Sequence, residues 1–465
     1  MDSAEGGSST SDDRKPSYTD RGPRISKDNL SMVLALWMEQ FPGEDDGKEA
    51  ADSFKKVGAV LVLPNDMLYA VDCSRDGVHG IARLLTKHYD MTKDCKIFVS
   101  RKPCSFCTKL LVQCKIKRVL YLPIEPEYIK DFEEETSRVD DLFKASSIGQ
   151  SVFVPTVGRE VLIESEKKKP KANNTSKIND KKKELLALYL KDDWMEKSEM
   201  VRNKLPWPAF DENMNGQVQR DFDNIMEWMA RILIQEEKSY TLSSQNHPSP
   251  SHNGRGTPGP FDPSGESTLQ SKRASFLINM ARFLAERSDD PKAGVGAVIT
   301  NTALEIVALG WNGFPTKALY GEFPRASHDD QVERKKYPFT IHAEQNSLLF
   351  RNTKNLANGI LFVPKTPCNE CTPLLAMEGI KTFVLGVEMK AEKAPSTPWG
   401  MKSSLNKYER AVSFALKCIR RLLNRWVDHV PRNQNLTGNN ETTESKYGGA
   451  RRGARDAGFQ TVVAR

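Results

Sequence analysis

The residues best able to do chemistry sit in two short motifs, His342-Ala343-Glu344 and Pro367-Cys368-Asn369-Glu370-Cys371, with 26 residues from His342 to Cys368. Two thiolates and a neutral imidazole neutralise a Zn2+ ion and leave a fourth tetrahedral position open, as a catalytic rather than a structural site requires. Water in that position gives up a proton at a pKa of about 7. Glu344 follows His342 by two residues, which on a continuing helix turns it away by about 200°. The two side chains face one ligand only if the helix begins there. The spacing therefore predicts a helix starting at His342, with His342, Cys368 and Cys371 as metal ligands. Glu344 is then the group that takes a proton from water and delivers it to a ring nitrogen and a leaving amine. A closed zinc knot is the alternative, and it lacks the fourth protein ligand such a site needs.

Elements that can position these groups follow from periodicity. Phe276, Met280, Phe283 and Leu284 share a helical face that ends near Ser288. Val295–Ile299 and Ile306–Gly310 flank a turn at Asn301 and predict a hairpin, while 360–363 and 382–385 are further strands. Helices are expected after His342 and after Cys371. Strands alternating with helices imply a central mixed sheet covered by helices on both faces, a three-layer α/β/α domain.

His-x-Glu followed by Pro-Cys-x-x-Cys, with the Glu not a ligand, is the pattern of zinc nucleobase deaminases. Asp290-Pro291, Val295-Gly296-Ala297-Val298, Gly310-Trp311-Asn312-Gly313-Phe314-Pro315 and the Cys motif also stand in the order of one family. Residues 273–390 thus resemble the deoxycytidylate deaminase branch of the cytidine deaminase superfamily. The resemblance implies that Asn312 lies at the sugar and phosphate and that the backbone of Ala343 contacts the base. It makes the segment between Pro315 and Tyr337 a substrate-side insertion. Lys317, Arg325, Arg334, Lys335 and Lys336 of that segment offer charge-assisted hydrogen bonds to phosphate, or form an exposed basic loop.

The motif order occurs twice. Val57-Gly58-Ala59-Val60, His79 and Pro103-Cys104-Ser105-Phe106-Cys107 repeat it, with 25 residues from His79 to Cys104; Ile116-Lys117 and Ile380-Lys381 each begin nine residues after the second Cys. This is an internal duplication, and the tandem arrangement resembles proteins built from cytidine and dCMP deaminase domains. Ile81 stands where the second copy has Glu344, and the Asn-Gly-Phe-Pro motif is missing. The first copy is therefore expected to be a pseudo-deaminase. His79, Cys104 and Cys107 either hold a second, noncatalytic zinc or are a metal-free relic. Such a copy is expected to pack on the catalytic one or to drive assembly into a homo-oligomer.

These readings give seven segments: residues 1–50 mostly disordered with a short helix, 51–163 a degenerate deaminase domain, 164–184 a Lys-rich linker, and 185–238 helical. A disordered Ser/Pro/Gly linker at 239–269, the catalytic domain at 270–430 and a disordered tail at 431–465 complete them. A helix at 408–426 is expected to pack on the catalytic domain.

Eight cysteines in 465 residues are too few for a disulfide scaffold, and four of them form Cys-x-x-Cys pairs, which favours metal in a reducing compartment. No run approaches the ~18 apolar residues of a membrane span, so no membrane association is expected. The net charge of +7, from 68 Lys and Arg against 61 Asp and Glu, discriminates little. The lysines at 167–183 read as a nuclear import signal, a nucleic-acid contact or a solvated linker, and Ile225, Met229, Ile232 and Ile234 as an export signal or a packing face. Cytoplasmic and nuclear localisation is the expectation.

The sequence thus predicts hydrolytic deamination of a cytosine nucleotide or nucleoside, with dCMP or dCTP favoured. Its rivals are deamination of cytidine or deoxycytidine, deamination within single-stranded DNA or RNA, and a noncatalytic nucleotide-binding scaffold. A nucleic-acid substrate calls for aromatic stacking platforms, and none accompany the lysine run.

Overall fold

The computed structural model describes residues 23–43, 54–128, 132–167, 175–190, 212–234, 261, 269–290, 293–315, 336, 339–365, 367, 368, 370–380, 382–386 and 460–463. Two five-stranded sheets have the same topology. In the first, β1 (Gly58–Val62) is antiparallel to both β2 (Leu68–Cys73) and β3 (Lys96–Val99). β4 (Arg118–Tyr121) and β5 (Gly149–Val152), joined in the chain through helix α4 (Phe132–Lys144), continue in parallel, for an order 2-1-3-4-5. In the second, β6 (Gly296–Thr300) is antiparallel to β7 (Ile306–Trp311) and β8 (Ile360–Val363). There β9 (Thr382–Leu385) and β10 (Gln460–Val463) run parallel. The duplication read from the motifs is a duplication of fold.

Strand alternation divides each sheet into two faces. Val60 and Val62 point to the side of helix α1 (Lys27–Glu39), and Ala59 and Leu61 to the side of α2 (Gly80–Lys87) and α3 (Ser105–Gln113). Ser26 caps α1 by accepting the Asn29 N–H at 3.1 Å. Gly58 lets α1 approach, since a Cβ there would stand 2.0 Å from the Ala35 carbonyl oxygen. Gly296 plays the same part against Ala281, also at 2.0 Å, in the helix Leu269–Ala285 of the second domain. Gly296→Ala must displace helix backbone, and we expect a loss of about 3 kcal/mol or more, read from the denaturant midpoint.

Several segment boundaries move. α1 is no isolated helix in a disordered leader, because nine of its residues are buried and it forms a layer of the first domain. The expected linker at 164–184 contains the end of α5 (Arg159–Lys167) and most of α6 (Thr175–Leu190). Leu185 and Tyr189 of α6 are buried, and the Tyr189 hydroxyl donates to the Leu36 carbonyl at 3.1 Å. α6 lies against α7 (Glu212–Leu233), where Lys182 meets Asp223 at 2.6 Å and Glu227 at 3.4 Å. Packing on a neighbour overrides the weak periodicity of the lysine run. Ile225, Met229 and Ile232 are buried, as the packing reading has it. The tail expected as disordered supplies β10, whose Thr461-Val462-Val463 run is β-branched and completes the edge of β9. Most of the 239–269 linker and the 408–426 helix lie outside the described residues. Among the described residues, no helix is long and apolar enough to cross a membrane.

The inner faces of the two domains merge into one core. Trp37 of α1 stacks on Phe276 at 4.8 Å and meets Phe283 edge-on at 5.3 Å, both in the helix α8 (Leu269–Ala285). Its indole N–H donates to the Phe276 carbonyl at 3.1 Å, and Trp228 of α7 packs on Phe283 from another side. Arg273 donates to the Pro42 carbonyl at 2.9 Å, Asn352 to the Tyr69 carbonyl at 3.3 Å, and Lys87 pairs with Glu305 at 2.5 Å. Equivalent elements meet one another, α1 with α8 and β2 with β7, so the chain is arranged as an internal pseudo-dimer.

Candidate active site and its degenerate copy

Helix α9 (Ala343–Leu349) begins one residue after His342, which is its N-cap in extended conformation. The His342 N–H donates to Gln345 Oε1 at 2.9 Å, and this contact fixes the helix start where the sequence requires it. Gly310 of β7 lets the helix lie close, since a Cβ there would meet Ser347 N at 2.5 Å and Ala343 O at 2.6 Å. Asn346 secures the contact by donating to the Trp311 carbonyl at 2.6 Å. Cys371 opens α10 (Cys371–Met377), and Cys368 lies three residues before it.

The structure brings the predicted ligands together. Cys368 Sγ is 3.2 Å and Cys371 Sγ 3.3 Å from His342 Nδ1, and the sulfurs are 3.7 Å apart. Tetrahedral zinc with its usual bond lengths has edges of about 3.5 Å between S and N and about 3.8 Å between sulfurs. The donor set therefore fits zinc in chemistry and size. Cys368 is held down to about 3, first by its hydrogen bond with Cys371, then by His342 and by the Cys371 and Glu370 amides. His342 is raised, first by Cys368, and Cys371 is raised, first by its bond to Cys368. Glu344 is 5% exposed, its Oε2 lies 3.7 Å from Cys371 Sγ, and burial lifts its carboxyl above the ordinary range.

The substrate-side residues are placed unevenly. Ala343 is the first residue of α9. Asn312 is 6% exposed and braces the loop before β6: its Oδ1 accepts the Val295 N–H at 2.7 Å, and its amide donates to Ala293 O and Asp290 Oδ2. Lys336, expected among the phosphate cations, is instead buried and paired with Asp290. Burial makes an ion-paired partner obligatory, which removes this ammonium from the exposed loop. Lys317, Arg325, Arg334 and Lys335 lie outside the described residues. Sequence reading gave Asp289 no role, although its Oδ1 accepts the Phe314 N–H at 3.1 Å and a Cβ on Gly313 would stand 2.2 Å from that oxygen. The Asp289-Asp290-Pro291 run was the available signal in the sequence.

In the first domain His79 stands at the N-cap position of α2, as His342 does in α9, and Cys104 at that of α3; neither His79 nor Cys104 makes a side-chain capping bond. Both Cys104 Sγ and Cys107 Sγ lie 3.5 Å from His79 Nδ1. Ile81, in the place of Glu344, is fully buried in the apolar core with these cysteines. A residue that sequence reading missed, Glu127, joins the cluster with Oε1 2.7 Å from His79 Nδ1. It belongs to no motif and lies 48 residues past His79, so nothing in the spacing pointed to it. His79 is raised to about 10, first by Cys104 and then by Glu127.

The family described as "Cytidine and deoxycytidylate deaminase zinc-binding region" matches residues 271–387. A "Deoxycytidylate deaminase" of Mycobacterium phage D29 is 30% identical over 118 residues, 23% of this chain and 90% of its own length. The "Deoxycytidylate deaminase" of Mus musculus is 34% identical over 110 residues, 23% of this chain and 61% of its own length. A longer likeness, the "Cytidine and dCMP deaminase domain-containing protein 1" of Danio rerio, is 28% identical over 411 residues, 78% of this chain and 83% of that one. The chain belongs to the cytidine and deoxycytidylate deaminase family. Within it, this is a tandem member with two cytidine-deaminase-like α/β/α domains, each with a mixed central sheet.

Proposed function

We propose that the second domain hydrolyses the amidine of a free cytosine nucleotide, giving the uracil form and ammonia, and that deoxycytidine nucleotides are its substrates. The observation that carries this reading is the buried Glu344 carboxylate beside the His342, Cys368 and Cys371 donors. Those three residues would hold a zinc ion, which would lower the pKa of water to about 7 and so supply a nucleophile at neutral pH. Glu344 accepts the proton of the attacking water and passes it to ring N3, and a second transfer goes to the exocyclic nitrogen as ammonia leaves. Burial favours this work, because a carboxyl raised toward neutrality both accepts and donates readily. The amide of Ala343 is assigned to the base and Asn312 to the sugar and phosphate side. Lys317 and Arg325 are assigned to phosphate.

Incubation of the full chain with cytidine, deoxycytidine, CTP, dCMP, dCTP and cytosine-containing single strands, followed by uracil product, tests the substrate. Turnover of deoxycytidine nucleotides above all others is the expected result. Turnover confined to the strands would replace this substrate class, and the ion pairs of Lys182 with α7 count against a free cationic groove at that lysine. The chain is further taken as a homo-oligomer of the cytoplasm and nucleus, which light scattering and a fluorescent fusion check.

A further inference from the structure

We propose that the first domain holds a second zinc in a closed site of four protein ligands, His79, Cys104, Cys107 and Glu127, built for structure and without an exchangeable position. The assignment is independent of the substrate of the second domain. The donor atoms of all four residues lie within 4.8 Å of one another. The two S···N separations of 3.5 Å equal the tetrahedral edge of about 3.5 Å expected for zinc. Glu127 Oε1 stands 3.6 Å from Cys107 Sγ, matching an S···O edge of about 3.5 Å. Its 2.7 Å distance to His79 Nδ1 is shorter than the corresponding edge of about 3.3 Å, and a small outward shift of either group closes that difference.

Glu127 is held as a built ligand would be. Its side chain is 1% exposed, its Oε2 accepts the Cys104 N–H at 2.9 Å, and its backbone is fixed on both sides. The Glu127 N–H donates to Lys102 O at 2.9 Å, and Glu127 O accepts the Lys55 N–H at 2.7 Å. The second oxygen thus orients the carboxylate while the first faces the three other donors, the division of labour common around ligating carboxylates. Without metal, a charged His79 is the partner of this buried carboxylate at 2.7 Å; with a divalent ion in place the imidazole is neutral, and the ion offsets the burial of the carboxylate and of both cysteines together.

The same contacts leave this copy without the open position and the acid that deamination needs. The acid position is Ile81, the fourth coordination position goes to Glu127, and the partly exposed rings of Phe54 and Phe106 stand against the His79 ring at centroid distances of 4.8 and 5.3 Å. In the second domain Glu344 approaches its cluster from the helix itself and serves as acid and base. In the first, a carboxylate from the loop after β4 ties that loop to the starts of α2 and α3.

Zinc content and release by a competing chelator, measured on the full chain, test the assignment. The wild type is expected to carry two zinc ions per chain that leave in two phases, with the first domain's ion the slower. Glu127→Gln should retain the fold by circular dichroism and speed the slow phase at least ~10-fold. One ion per chain, or a slow phase unchanged in Glu127→Gln, overturns the proposal. A variant-free check covers a Glu127→Gln chain that fails to fold: in wild type loaded with cobalt at both sites, azide should shift only the open site's part of the visible spectrum. A shift of both parts contradicts closure.

Discussion

Glu344→Gln should lower kcat by a factor of ~10²–10⁴ while zinc content stays at the wild-type value. The amide matches the carboxylate in shape but neither accepts the water proton nor delivers one, so the loss falls on the chemical step. Because Glu344 is not among the three metal donors and burial already disfavours its charged form, the substitution should leave folding nearly intact. Isolating kcat from KM on a deoxycytidine nucleotide, with zinc measured on the same preparation, checks both halves. A variant that turned over normally, or that lost its metal, would show that Glu344 has another role.

Removing residues 1–268 should leave little soluble, active protein, even though the family's zinc-binding region lies wholly within what remains. The truncation strips the partners from α8, whose Phe276 and Phe283 lose Trp37, Phe41 and Trp228. Exposing each such side chain costs about 1.5–3 kcal/mol, and several lie on one contiguous face, so aggregation or self-association through it is expected. Size exclusion coupled to light scattering and a specific-activity measurement decide the matter. A well-behaved monomer with full activity would make the first domain dispensable.

The second domain's cluster of candidate ligands was legible because short local spacing carries it. His342, Cys368 and Cys371 lie at or just before helix starts and the structure sets them in one cluster, with Glu344, in the first turn after His342, 3.7 Å from Cys371 Sγ. That the first copy carries Ile81 where the second has Glu344 was equally plain from the sequence. Glu127 was not legible, because a ligand supplied by a loop is fixed by tertiary path and leaves no periodicity. Lys336 was misread for the opposite reason: a lysine in a basic run reads as exposed until Asp290, 46 residues earlier in the chain, is brought to it. Strand β10 and helix α6 share the lesson that polar or charged composition yields to packing when a sheet edge or a helix face is there to receive the segment.

The most direct test of the whole account is ammonia release from dCMP and dCTP by the full chain as isolated, after exhaustive chelation, and after zinc is returned. Release that disappears with the metal and comes back with it is the predicted result. Ammonia release indifferent to chelation, or none from either nucleotide by a folded, zinc-loaded chain, would contradict the assignment of His342, Cys368, Cys371 and Glu344 to a zinc-dependent deaminase.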